Sequence, residues 1–223
     1  MNKKIVAVLI IALLAVSFAA ARVVNLQIGP SISFFKGQAP VEIGDTQRTP
    51  YQGFAFGLDT AVDLTFGPNV ELYFQDTLNI ARKDVFKDFE SSEFIQEEFD
   101  DKFTIDYKTH AGFEYAVVLD PVKVSVGGGL AFEVIATNFR YKEDETKGFI
   151  LLDLNMGLGA TVKVEYPFAN HWSAYARAFV DYFPAAGLAI GSYPNDKGEE
   201  PYTAKGRVNN FSVDASAGIV FYF

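Results

Sequence analysis

Residues 211–223 read Phe-Ser-Val-Asp-Ala-Ser-Ala-Gly-Ile-Val-Phe-Tyr-Phe. Every second position is apolar: Phe211, Val213, Ala215, Ala217, Ile219, Phe221 and Phe223. Between them stand Ser212, Asp214, Ser216 and Gly218, then Val220 and Tyr222. Successive side chains of a strand point to opposite faces, so this stretch describes a strand with one apolar and one mostly polar face. The same period recurs along the chain upstream of it.

At the other end, Lys3 and Lys4 precede an apolar run from Ile5 to Val16 and a small-residue exit at Ala19, Ala20 and Ala21. This is the pattern of a secretory signal peptide over 1–21, with cleavage expected after Ala21. No later apolar run is long enough for a spanning helix, and no cysteine lies near the exit to carry a lipid anchor. Residues 22–223 are expected to form one domain. The formal charge of -9 disfavours nucleic acid and polyanionic surfaces as partners. With no cysteine in the chain, disulfides and thiolate metal sites are excluded. The 22 Phe and 11 Tyr are spread over alternating segments, as a transmembrane barrel distributes its hydrophobicity.

Strand one is expected over Leu26–Phe34, with Gln27, Gly29, Ser31 and Ser33 on the polar face and a distortion at Pro30. Lys36–Gln52 reads as a long loop. The second strand, Gly53–Leu64, sets Phe54, Phe56, Leu58, Val62 and Leu64 against Ala55, Gly57, Asp59, Ala61 and Asp63. A short turn at Phe66-Gly67-Pro68-Asn69 leads to a third, with Glu71, Tyr73, Gln75, Thr77 and Asn79 inward and Asp76 breaking the outer face. After an acidic loop over 83–102, the fourth strand (Phe103–Leu119) turns Asp106, Lys108, His110, Gly112 and Glu114 inward. A tight turn at Asp120-Pro121 starts the fifth, with Lys123, Ser125, Gly127, Gly129 and Glu133 inward. Beyond a loop at 137–148, the sixth carries Asp153, Asn155, Gly157, Gly159, Thr161 and Lys163 on its polar face. The seventh, from Trp172, puts Ser173, Tyr175, Arg177, Phe179 and Asp181 inside, and 184–207 reads as the last long loop.

Connections thus alternate long and short, which gives eight strands with both termini on one side. The predicted fold is all-β, an eight-stranded antiparallel up-and-down transmembrane β-barrel with short periplasmic turns and longer outer loops. Closure satisfies every backbone group in lipid, which an open sheet does not. A soluble barrel shows the same alternation, but its apolar faces point inward. Here the polar faces carry Gly, Ser, Asn and charges, a poor lining for an apolar ligand. Aromatics also gather at strand ends, with Phe66, Phe168, Trp172, Phe221 and Phe223 at one rim and Phe34, Phe54, Phe103 and Phe149 at the other. Two such girdles fit the two membrane interfaces.

The closing strand, with Ile219, Phe221 and Phe223 before an aromatic terminus, resembles that of bacterial outer-membrane β-barrels. The resemblance implies that these three residues are read by the barrel-assembly machinery. In architecture the whole chain after residue 21 resembles the small eight-stranded barrels: OmpX-like proteins, OmpW-like proteins and the OmpA transmembrane domain. It implies a bacterial outer-membrane location among outer-membrane lipids. Two functions are open. One is an OmpX-like surface protein whose extracellular loops contact host or matrix ligands. The other is an OmpW-like conduit for small hydrophobic solutes, which needs apolar lumen residues and a lateral opening; Tyr73, Tyr175 and Phe179 speak for it.

Asp59, Asp63, Glu71, Asp106, Lys108, His110, Glu114, Lys123, Glu133, Asp153, Lys163, Arg177, Asp181 and Asp214 all fall on inward faces. An eight-stranded interior is just wide enough to be filled by side chains, so these are expected to pair into a plug. His110 shares its face with Asp106 and Glu114, and some small outer-membrane barrels are lipid A acylases or deacylases built on a His, a Ser and a carboxylate. Gly112 stands where a local nucleophile would be, so no catalytic residue is assigned. His171, beside Trp172, reads as interfacial. Glu97, Glu98, Asp100 and Asp101 lack the spacing and central Gly of an EF-hand and read as a solvated loop interleaved with Phe86, Phe89, Phe94, Ile95 and Phe99. Gly127-Gly128-Gly129 lies in a strand and is no nucleotide loop. No cofactor or metal is expected.

Overall fold

The computed structural model describes residues 23–43, 45–66, 69–81, 99–141, 148–184, 186–195, 198–207 and 209–223. The expected signal peptide, the acidic loop with Glu97 and Glu98, and the side chains of Asp100, Asp101 and Phe149 lie outside the described residues.

The strands are β1 (Val23–Ile43), β2 (Asp45–Thr65), β3 (Val70–Ala81), β4 (Phe99–Leu119), β5 (Val122–Tyr141), β6 (Gly148–Ala169), β7 (Trp172–Phe183), β8 (Ala186–Asn195), β9 (Gly198–Arg207) and β10 (Asn210–Tyr222). The wall runs β1-β2-β3-β4-β5-β6-β7-β10, every adjacent pair antiparallel, and β10 pairs with β1 to close the barrel. The wall has eight strands, because β8 and β9 prolong β7 and β10. The β7–β10 ladder reaches Phe183↔Asn210 and resumes at Ala186↔Arg207 in unchanged register. Against β6, β8 returns after a jog, at Leu154↔Leu188.

All four stretches read as long loops therefore contain strand. The β1–β2 ladder continues through Lys36↔Gln52 to Ile43↔Asp45, β4 and β5 pair out to Phe99↔Tyr141, and 184–207 holds the β8–β9 hairpin. At about 3.3 Å per residue, the 21 residues of β1, β2 and β4 give roughly twice the 9–11 residues a tilted strand needs to cross lipid. The surplus prolongs the ladders beyond the length that lipid requires, so the backbone pairing persists where no lipid-facing apolar side chain is needed. Proline is tolerated in such edges and strand ends. At the opposite end the connections are short: Phe66 N donates to Val70 O at 2.8 Å, Asp120-Pro121 turns β4 into β5, and Asn170-His171 turns β6 into β7. β6 itself runs to Ala169, with a register irregularity between Pro167 and Ala169. Pro30 interrupts the β1–β10 ladder between Ile28↔Ile219 and Ser31↔Ser216, but the register on either side is the same. The expected distortion is a local gap in the ladder.

The inside-out character is plain in the exposures. Phe113 is 62% and Leu158 63% exposed on the outer face, whereas Tyr73, Lys108 and Lys163 inside are 0% exposed. Exposed apolar faces of this size are stable in hydrocarbon, and the barrel is transmembrane. Asp76, on that outer face, accepts a hydrogen bond from Tyr107 Oη at 2.8 Å, which answers its break in the pattern.

Candidate functional site

The lumen is the candidate site, because every inward face delivers polar side chains to it. Strand parity alone sets this arrangement: alternate residues from eight strands converge on one axis. The side chains separate into two storeys. The lower one, on the short-turn side, holds three cations, Lys123, Lys163 and Arg177, and four carboxylates, Asp63, Glu71, Glu114 and Glu165. Lys163 Nζ pairs with Asp63, lies 2.8 Å from Glu165 and sits 3.3 Å from both Glu71 and Glu114. Arg177 Nη2 donates to Glu114 at 3.0 and 3.2 Å and reaches Asp63 at 3.4 Å, while Nη1 donates to Gln75 at 3.0 Å. Lys123 caps the group from a part-exposed position, paired with Glu71, and Gln27 and Tyr222 donate to Asp63 and Glu165.

Aromatic rings divide the storeys. Arg177 lies 5.6 Å from the Tyr73 ring centre and 5.7 Å from that of Phe179, the two rings meet edge to face at 5.8 Å, and His110 stacks on Phe179 at 4.3 Å. Gly112 makes room for this layer, since a Cβ there would stand 2.7 Å from Tyr73 Oη. Asp59 accepts hydrogen bonds at the same level from Tyr175 at 2.9 Å and Thr77 at 3.2 Å.

Above the rings, Lys108 Nζ donates to Asp214 at 2.8 and 3.0 Å and to Ser33 at 2.6 Å, and lies 3.1 Å from Asp106 and 3.6 Å from Glu133. His110 Nε2 is 3.0 Å from Asp181, which also accepts from Ser212 at 3.2 Å. Higher still, Asp153 accepts from Tyr51 at 3.1 Å and Asn155 at 3.2 Å. All fourteen charged residues singled out by sequence thus line one interior, Lys123 at its edge. Parity, continued past the expected strand ends, also leads to residues sequence reasoning missed: Glu165, two beyond Lys163, and the buried rings Phe35, Tyr51, Phe139 and Phe183.

Two sets of carboxylate and imidazole groups hold their ligand atoms within 4.8 Å of one another: His110–Asp181–Asp214 and Asp63–Glu71–Glu114. The acid–base grouping of His110 with Asp106 and Glu114 does not form. Each is four residues away along one strand, about 13 Å, and they pair instead with Lys108 and Arg177. His110 Nδ1 meets no hydrogen-bond partner, and Ser212 addresses Asp181 rather than the imidazole.

On the outer face, Trp172, Phe221 and Phe223 meet in series, tilted and then edge to face, at 4.7 and 4.8 Å. Leu26, Ile28, Trp172, Ile219 and Phe221 line an apolar groove of about 320 Å³ across the β1–β10 seam. Phe66 lies half-buried and Phe168 exposed near the same short-turn end. Phe34 and Phe54 face each other at 5.0 Å toward the other end, where Phe103 is exposed too. His171 Nδ1 lies 3.2 Å from the Tyr222 carbonyl oxygen in the turn.

No protein-family model and no curated protein matches the sequence. Solved structures do resemble the fold. The outer membrane protein OprG of Pseudomonas aeruginosa is 12% identical with a TM-score of 0.60, over 92% of this chain and 97% of that one. A major outer membrane protein of Thermus thermophilus is 15% identical with a TM-score of 0.56, over 87% and 99%. Neisserial surface protein A is 12% identical with a TM-score of 0.52, over 90% and 97%. At these identities the likeness is one of fold, that of the small eight-stranded outer-membrane barrels.

Proposed function

We propose that this chain is a non-enzymatic barrel of the bacterial outer membrane, closed by its own ion pairs, that acts through the strand hairpins standing above the lipid. The observation that carries this reading is the lower storey. Lys163 and Arg177 each bridge at least two carboxylates across the axis, so the lower lumen is crossed by charge-assisted bonds. Opening it would strand buried charges. The extended β1–β2 and β4–β5 ladders and the β8–β9 hairpin supply a broad outer platform suited to binding molecules at the cell surface, host or matrix ligands among them. Location in the outer membrane is supported by the apolar outer face and the shared fold.

The test is single-channel recording of refolded protein, lacking residues 1–21, in planar bilayers. Folded wild type is expected to be electrically silent, and Arg177→Ala to show steps. Discrete, reproducible steps in wild type would overturn the closed lumen.

A second reading, a route for small hydrophobic solutes, is favoured by one observation. Phe35, Tyr51, Phe139 and Phe183 add aromatic surface to the upper lumen, and the β1–β10 ladder ends just there, at Lys36↔Phe211. Uptake of an apolar dye into vesicles by electrically silent protein would select it.

A further inference from the structure

The upper storey is short of positive charge. Asp106, Glu133, Asp153, Asp181 and Asp214 are all buried, and Lys108 is the one lysine or arginine among the described side chains that answers them. Buried carboxylates without counter-charge are costly. Several buried polar atoms at this level also have neither a hydrogen-bond partner nor a cation beside them in the protein: Oδ1 of Asp106, Oδ1 of Asp181 and Nδ1 of His110. These three residues are 0–1% exposed. The unpartnered atoms and the missing charge coincide at one place.

The geometry points to a divalent-cation site formed by His110, Asp181 and Asp214, taking a first-row transition ion such as Zn²⁺ or Mn²⁺. One imidazole nitrogen with carboxylate oxygens suits that class, whereas Ca²⁺ prefers oxygen alone. The three ligand atoms lie within 4.8 Å of one another. Ligands each about 2.0–2.2 Å from a shared ion stand at most about 4.4 Å apart, so small rotations complete the triad.

The surroundings suit the role. Ser212 donates to Asp181 and the Phe179 ring fixes the imidazole plane, the kind of outer support that orients ligands. Gly159 admits the Asp181 carboxylate against β6, since a Cβ there would overlap Oδ1. Lys108 now holds Asp214, but Asp106 and Glu133 stand beside its ammonium group to retain it when Asp214 turns to the ion. The lower triad, Asp63–Glu71–Glu114, is the internal contrast. Its ligand atoms are equally close, yet Lys123, Lys163 and Arg177 already occupy the space with charge.

The experiment uses the full barrel, residues 22–223, refolded in micelles with Co²⁺ or Zn²⁺ supplied during refolding because the site is enclosed. One ion per barrel is expected after removal of free metal, with a Co²⁺ visible band. His110→Ala and Asp181→Asn should each weaken binding at least tenfold, while His171→Gln leaves it unchanged. A second readout needs no lumen variant. The chain has 2 histidines, and Zn²⁺ should shift the ring ¹⁵N resonances of His110 in the His171→Gln protein. Absence of bound ion, binding that survives His110→Ala in folded protein, or unshifted His110 resonances would each overturn the site.

Discussion

The two storeys of the lumen use the same residue types under opposite charge balance. Below the Tyr73–Phe179 layer, three cations face four carboxylates, and the bridges are shared: Asp63 and Glu114 both serve Lys163 and Arg177. Above it, Lys108 alone gathers Asp106, Glu133 and Asp214, and Asp153 and Asp181 lie beyond its pairs. The lower arrangement is redundant and nearly balanced. Among the described side chains, the upper one hangs on a single ammonium group. The proposed closure rests on the first arrangement and the proposed cation site on the second.

Substitutions break or sharpen this contrast. The largest effect is expected from Lys108→Met, which leaves the upper carboxylates without their cation and should cost about 3–5 kcal/mol of unfolding free energy. Urea unfolding in lipid vesicles with chelator present measures it; a loss within error would mean the upper carboxylates need no counter-charge, and the contrast would collapse. Lys163→Met should cost less, about 1–3 kcal/mol, because Arg177 and Lys123 still neutralise the same carboxylates. A loss equal to that of Lys108→Met would show that the lower storey has no redundancy. The smallest effects carry the sharpest sign. Glu114→Gln, which weakens the bidentate partner of Arg177, should destabilise by about 1–2 kcal/mol. Asp106→Asn removes a surplus charge and should stabilise the metal-free protein by about 1 kcal/mol. Shifts of the same sign in the two would refute the difference in charge balance.

How far the chain could be read without coordinates depended on where its residues meet lipid. Within the membrane, water is absent on one side only, so Phe54, Phe56 and Leu58 alternate with Ala55, Gly57 and Asp59, and the inward set is legible. Above the membrane that contrast vanishes. Gln38, Pro50 and the stretches 186–195 and 198–207 read as loop for want of an apolar face, although their backbones pair. The missed lumen residues obey the rule that found the others. Phe35 follows Ser33 and Tyr51 precedes Gly53 on the same face, and only the expected strand ends hid them.

Sequence by itself determined the eight-stranded wall and its inside-out polarity, because strand parity is a local property with period two. It could not assign partners. Lys108 and Asp214 are 106 residues apart and meet across the lumen, while His110 leaves Asp106 and Glu114 on its own strand for Asp181 on another. Which side chains meet across a barrel depends on how far each strand slides past its neighbour and on how the last ladder closes onto the first. Those are sums over every register in the wall, so the separation into a balanced lower storey and an anionic upper one exists only once the barrel is closed.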